Sequence, residues 1–233
     1  MEENIDQPTS EKKKRIFPVN ADSKIAIIVF FFALMLIVGL TFSLRGIYLI
    51  ETYAITVCLF LLVTAAYPIV AVAAMKLTAQ TRHLLPTKNR MWLQILIGLV
   101  IAVALCLVFG VIPILCGDTY PHTEPTAENL ILGAVQNILF VGVGEEIVCR
   151  GYIQNQFQIW LKKCKWLAPL IAAVIFGLWH IINGDLEQVL VATVVGCVFG
   201  YSKYLFKDCS LLSVIIAHGF YDFSLVLLSC FML

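Results

Sequence analysis

Charge is what this sequence has least of: only 13% of its 233 residues are Asp, Glu, Lys or Arg, while 61% are apolar. A soluble domain carries roughly a quarter charged residues, and a globule of this size has no interior large enough for so much apolar surface. Helices in a bilayer remove the difficulty, because they satisfy their own backbone groups and show apolar side chains to lipid. The net charge of +1 and the lack of a basic stripe interleaved with aromatics exclude a nucleic-acid binder. No C-x-x-C pair occurs among the eight cysteines, which are scattered mostly in apolar runs and read as small buried hydrophobes. No H-E-x-x-H occurs either. The polar N-terminal stretch lacks the short apolar core and small-residue cleavage site of a secretory signal, so residues 1–24 read as a polar cytoplasmic tail.

What is present is a series of apolar runs. A bilayer core of about 30 Å takes roughly 20 helical residues. Runs of that order lie at about 25–44, 52–75, 91–116, 127–160, 166–182, 187–206 and 210–232. The fold class is therefore all-α, a polytopic transmembrane bundle of about seven to eight helices. Lys and Arg alternate with these runs as the positive-inside rule requires. They cluster in the tail, at Lys76, Arg82, Lys88 and Arg90, at Lys162, Lys163 and Lys165, and at Lys203 and Lys207, while the opposite loops hold only Arg45. This places the N-terminus in the cytoplasm. The run from Ala127 to Trp160 is about 50 Å long if wholly helical, and its second half holds Gln154, Asn155, Gln156 and Gln158. One long tilted helix is expected, rather than a kink at Gly142 or Gly144 or an exit from the bilayer.

Ionisable side chains inside a bilayer are costly unless paired or hydrated, and each is a candidate for function. Here they are Glu145, Glu146, Arg150, His180, His218 and Asp222, all in the C-terminal half. In GEEIVCRGY, Glu146 and Arg150 are four apart and share one helix face as a structural ion pair. Glu145 points about 100° away, so it is open to act as a general base on water. In FGLWH, His180 is either an interhelical hydrogen bonder or a partner in catalysis. In HGFYD, His218 and Asp222 share a face as an oriented histidine, a pair of metal ligands or a polar contact between helices. Counted at 1.5 Å per residue from the expected cytoplasmic ends, Glu145 and His180 stand about 22 and 21 Å deep and His218 about 12 Å.

The ordered set EExxxR, FxxxH and HxxxD resembles the three motifs of the CPBP family, the CAAX-protease and bacteriocin-processing (Abi) intramembrane enzymes, over roughly residues 127–230. The resemblance implies N-terminal transmembrane helices over 25–126 and a catalytic helical core over 127–233. It further implies a glutamate-dependent endopeptidase acting on a membrane-associated peptide or protein. Carried over by motif position, Glu145 would deprotonate water, His180 would help position it, and His218 with Asp222 would face the tetrahedral oxyanion. The last motif position is often Asn in the family. Asp222 donates to an oxyanion only when protonated, so the alternative is that it orients His218. No cofactor is required on this reading.

Two further readings stay open: a zinc protease ligated by Glu145, His180 and His218, and a non-catalytic immunity or scaffold protein using the polar cluster to lock helices. A transporter is disfavoured because no repeat relates the two halves. Family analogy favours a bacterial cell membrane, with the lipid bilayer and a peptide or membrane protein as partners. Substrate sequence and oligomeric state have no signature here.

Overall fold

The computed structural model describes residues 23–45, 53–84, 90–119, 121–182 and 185–231. All but the last two residues of the expected tail lie outside them. The described residues contain no strand, and the expected runs appear as helices close to their anticipated bounds. These are α1 (Ser23–Arg45), α2 (Tyr53–Leu77), α3 (Met91–Leu115), α4 (Ala127–Trp160), α5 (Leu167–Trp179), α6 (Leu186–Leu205) and α7 (Leu211–Phe231). Among the described residues, α3, α4, α6 and α7 are long and apolar enough to cross a membrane. α5, at 13 residues, is about 20 Å long and falls short of the hydrocarbon thickness. It ends in a 3₁₀ turn, His180–Ile182, where His180 sits.

α4 is the axis of the bundle. Thr126 caps it, its side chain accepting from the Asn129 amide at 3.1 Å, with Glu128 in the first turn where the helix dipole favours an acid. The helix runs unbroken for 34 residues, and the alternative of a glycine kink is not what occurs. Instead two π-helical turns, Val135–Val141 and Ile147–Ile153, bracket a single α-turn, Gly142–Glu146. Residues 148–156 are buried on every side. One apolar cluster joins α4 residues such as Val148 and Tyr152 to Phe30 of α1, Met75 of α2 and Phe176 of α5. A second joins α3, α6 and α7 through Ala102, Phe199 and Val214.

This sheath accounts for Gln154, Asn155 and Gln156 in the polar second half of α4, while Gln158 lies beyond the buried stretch. Gln154 donates to the Gly200 carbonyl at 3.1 Å, Asn155 to the Gly151 carbonyl at 2.6 Å, and Gln80 donates to Gln156 at 2.5 Å. Polar residues at membrane depth are stable where neighbouring helices supply such partners.

α4 crosses α7 with backbones in contact. A Cβ built on Gly142 would lie 2.8 Å from the Gly219 nitrogen, and one on Gly219 would lie 2.7 Å from the Ile138 Cα. The crossing falls three residues before Glu145 and one after His218, so it sets the approach of the two chemical helices. Alanine at Gly142 or Gly219 is therefore expected to separate α4 from α7. At an overpacking cost of about 1–3 kcal/mol, the melting temperature of purified protein should fall by roughly 3–10 °C. A differential scanning fluorimetry trace matching wild type would show that the crossing is not this close.

Candidate active site

Glu146 and Arg150 are both fully buried, and their pairing is at 2.6 Å from Nη1 to Oε1. The same Glu146 oxygen also lies 2.9 Å from His218 Nδ1 on α7. Since a carboxylate oxygen accepts, Nδ1 donates to it. Glu146 thus binds α7 as well as its own helix, a contact that the four-residue spacing gave no sign of. The second arm of the guanidinium donates from Nη2 to the Gly196 carbonyl on α6 at 2.8 Å. Its Cζ lies over two rings, 4.6 Å from the centroid of Phe176 and 5.4 Å from that of Phe199. A cation over ring faces in a dry setting is stabilised by the ring quadrupole. Position 196 is tight: a Cβ there would lie 3.0 Å from both Arg150 Nη2 and a Phe176 ring carbon, so a larger residue requires one of them to shift.

His218 is 3% exposed and stands among three carboxylates. Beyond the contact with Glu146, its Nε2 is 3.3 Å from Asp222 Oδ2 and 3.9 Å from Glu145 Oε2. With carboxylate oxygens on both sides of the ring, the cluster must hold a proton at Nε2 or on one of the facing carboxyls. Phe199 lies tilted against the ring at 5.2 Å and Phe176 meets it edge-on at 5.6 Å.

His180, on the turn ending α5, lies 2.8 Å from the Phe176 carbonyl through Nδ1. A carbonyl can only accept, so Nδ1 carries hydrogen, and in the neutral ring Nε2 is left with a lone pair. Phe176 packs edge-on against this ring too, at 4.7 Å.

Glu145, His180, His218 and Asp222 line one cavity of ≈190 Å³, with Tyr221 of α7 and Gln188 of α6 among its walls. Glu145 Oε2 is buried there and makes no hydrogen bond. The structure thus brings all six sequence candidates together: four border the cavity, and Glu146 with Arg150 stand behind His218. Gly196, Phe199, Tyr221 and Gln188 were not anticipated. Glycines and aromatics in apolar helices offer no contrast by which to find them, and Gln188 follows Asp185 and Glu187 in what reads as an ordinary polar helix start.

Among the described residues no three His, Cys, Asp or Glu side chains form a group that could hold a metal ion. Nδ1 of His218 is taken by Glu146 and Nδ1 of His180 by a carbonyl. Both histidines keep Nε2 toward the cavity side of these contacts, an orientation that serves a catalytic imidazole and a metal ligand alike. The cysteines depart in part from expectation. Cys149, Cys209 and Cys230 are buried, but Cys116 and Cys164 are exposed because they sit just beyond helix ends. Burial pushes the Cys209 thiol, in the turn before α7, up to about 11, so it is not a thiolate at neutral pH.

Residues 127–224 match the family model described as type II CAAX prenyl endopeptidase Rce1-like. The matched segment begins at the first residue of α4 and contains all six ionisable candidates. Comparisons with curated proteins and with solved structures gave no match.

Proposed function

We propose, on the premise that residues 127–224 belong to the type II CAAX prenyl endopeptidase Rce1-like family, that Glu145 activates water for metal-independent hydrolysis of a membrane-associated peptide or protein. The observation that carries this reading is the buried Glu145 Oε2, without a hydrogen-bond partner, on a cavity shared with two histidines. The Glu145 side chain is 23% exposed, and its accessible part can accept from a water molecule in the cavity whose other wall carries His180.

In the proposed reaction Glu145 takes a proton as the water oxygen bonds to the scissile carbonyl carbon. An imidazolium at His218, bonded through Nδ1 to Glu146, carries a second N–H at Nε2 that can be given to the oxyanion. Asp222 holds that N–H in place beforehand. A donor preorganised in a dry site contributes several kcal/mol to the transition state. Collapse of the tetrahedral species breaks the C–N bond, and Glu145 returns its proton to the leaving amine.

The family description names a CAAX prenyl endopeptidase, and the proposed substrate here is a peptide bond near the membrane surface of a prenylated CAAX protein or of a bacterial membrane-associated peptide. The basic loops favour a cytoplasmic N-terminus. One observation favours a second reading, an immunity or scaffold protein: the Glu146, Arg150 and His218 network ties α4 to α6 and α7 without any need for catalysis.

The test is to incubate purified protein in detergent with a quenched-fluorescent library of membrane peptides, with and without a zinc chelator. The expected result is cleavage at equal rates in both. Loss on chelation that added zinc restores would move the assignment to a metalloprotease. Absence of cleavage of every peptide, including prenylated CAAX peptides, would favour the scaffold.

A further inference from the structure

We propose that a cleft at the C-terminal end of α4 binds the phosphate headgroup of an anionic phospholipid. It has a volume of ≈440 Å³ and is lined by Asn155, Gln158, Ile159, Lys162 and Lys165. No acid stands in its wall, and the following loop, 161–166, holds three lysines and no carboxylate. No ion pair among the described residues includes Lys162, Lys165 or the nearby Lys203.

The floor of the cleft is built. Asn155 is 4% exposed and is held by its bond to the Gly151 carbonyl. Its Oδ1 accepts from Lys203 Nζ at 3.0 Å, and the same ammonium donates to the Arg150 carbonyl at 3.0 Å. An ammonium has three hydrogens to give, and these two acceptors are neutral. The buried Glu146 carboxylate already acts on this ammonium, and an anion in the adjoining cleft adds a second counter-charge to a site with three cationic side chains near it.

The walls are also fixed. The Cys164 amide donates to the Leu161 carbonyl and the Leu167 amide to the Cys164 carbonyl, each at 3.0 Å. Tyr201 of α6 donates to the Trp166 carbonyl at 3.1 Å. An anion therefore meets a preformed basic site.

The apolar surroundings select a lipid over a free anion. Ile159 forms part of the wall and is 43% exposed. Trp166, next to Lys165, begins an exposed stripe continuing through Leu170, Val174 and Leu178, four residues apart along one face of α5. Acyl chains can lie along that stripe while Trp160 and Trp166 sit at headgroup level, where indoles are favoured. Basic pockets between membrane helices are suited to such headgroups.

The full chain in neutral detergent, titrated with short-chain phosphatidylglycerol and followed by tryptophan fluorescence, should show saturable binding. Short-chain phosphatidylcholine should bind far more weakly. At the usual contribution of each lysine near an anionic headgroup, the Lys162→Gln, Lys165→Gln double variant should weaken phosphatidylglycerol binding by roughly thirtyfold, and the corresponding double arginine variant should retain it. Equal affinity in the glutamine variant, or no preference over phosphatidylcholine, would overturn the proposal. Inorganic phosphate binding as tightly as phosphatidylglycerol would overturn the lipid assignment. None of these readouts depends on peptide hydrolysis.

Discussion

Glu145→Gln is expected to lower peptide hydrolysis by about 10²- to 10⁴-fold, the range for removal of a general base, with little change in the folded protein. The amide keeps the shape of the side chain and loses the ability to take a proton. Its Oε2 has no hydrogen bond to lose, and the 3.9 Å approach to His218 is too long to hold helices together. Initial rates on any cleaved peptide, beside a melting curve, provide the check. A variant as active as wild type would remove Glu145 from the chemistry, and with it the proposed mechanism.

Arg150→Ala should behave in the opposite sense. The guanidinium is fully buried and joins three helices: Glu146 on α4, the Gly196 carbonyl on α6 and, through Phe176 and Phe199, the facing surfaces of α5 and α6. Truncation takes the guanidinium from the buried Glu146 carboxylate and leaves it the His218 contact alone; breaking a buried pair in this way typically costs about 3–5 kcal/mol. Folded domains have only about 5–15 kcal/mol in total. The variant is expected to accumulate poorly and to elute as aggregate in size-exclusion chromatography, where Glu145→Gln remains monodisperse. Arg150→Lys should not rescue it, because a single ammonium lacks the planar fork that reaches Glu146 and Gly196 together. A monodisperse Arg150→Ala protein of normal melting temperature would show that the pair is not what holds α4 in place. Enzyme and scaffold readings share this expectation for Arg150, so the Glu145→Gln rate is what separates them.

The helices were legible because their cause is compositional. A stretch of some twenty apolar residues has one stable arrangement in lipid, and α4 and α7 fall within about a residue of their expected limits. The candidate site was legible for the complementary reason, that ionisable groups in apolar helices stand out at once. Depth was not. Counting residues from the expected helix ends set Glu145 about 10 Å deeper than His218, yet Oε2 and Nε2 are 3.9 Å apart. The count took α4 and α7 as upright with level ends, and the glycine crossing at 142 and 219 sets their relative height instead. Partners were equally hidden. Glu146 could be paired with Arg150 by spacing, but its contact with His218 spans 72 residues of sequence, and no local pattern encodes it. Phe199 looks like any other apolar residue of α6 until the guanidinium is seen beside it.

The paired π-turns of α4 have a consequence for length variation. A π-turn is in effect an α-helix carrying one surplus residue, and such turns recur at functional sites. Losing one residue elsewhere in α4 rotates everything beyond it by about 100°. Losing one from Ile147–Ile153 can be absorbed by relaxation of that turn to ordinary α-helix, leaving Gln154–Trp160 facing its partners. None of residues 147–153 lines the cavity, so a change of count there acts first on the Arg150 contacts to Glu146 and Gly196.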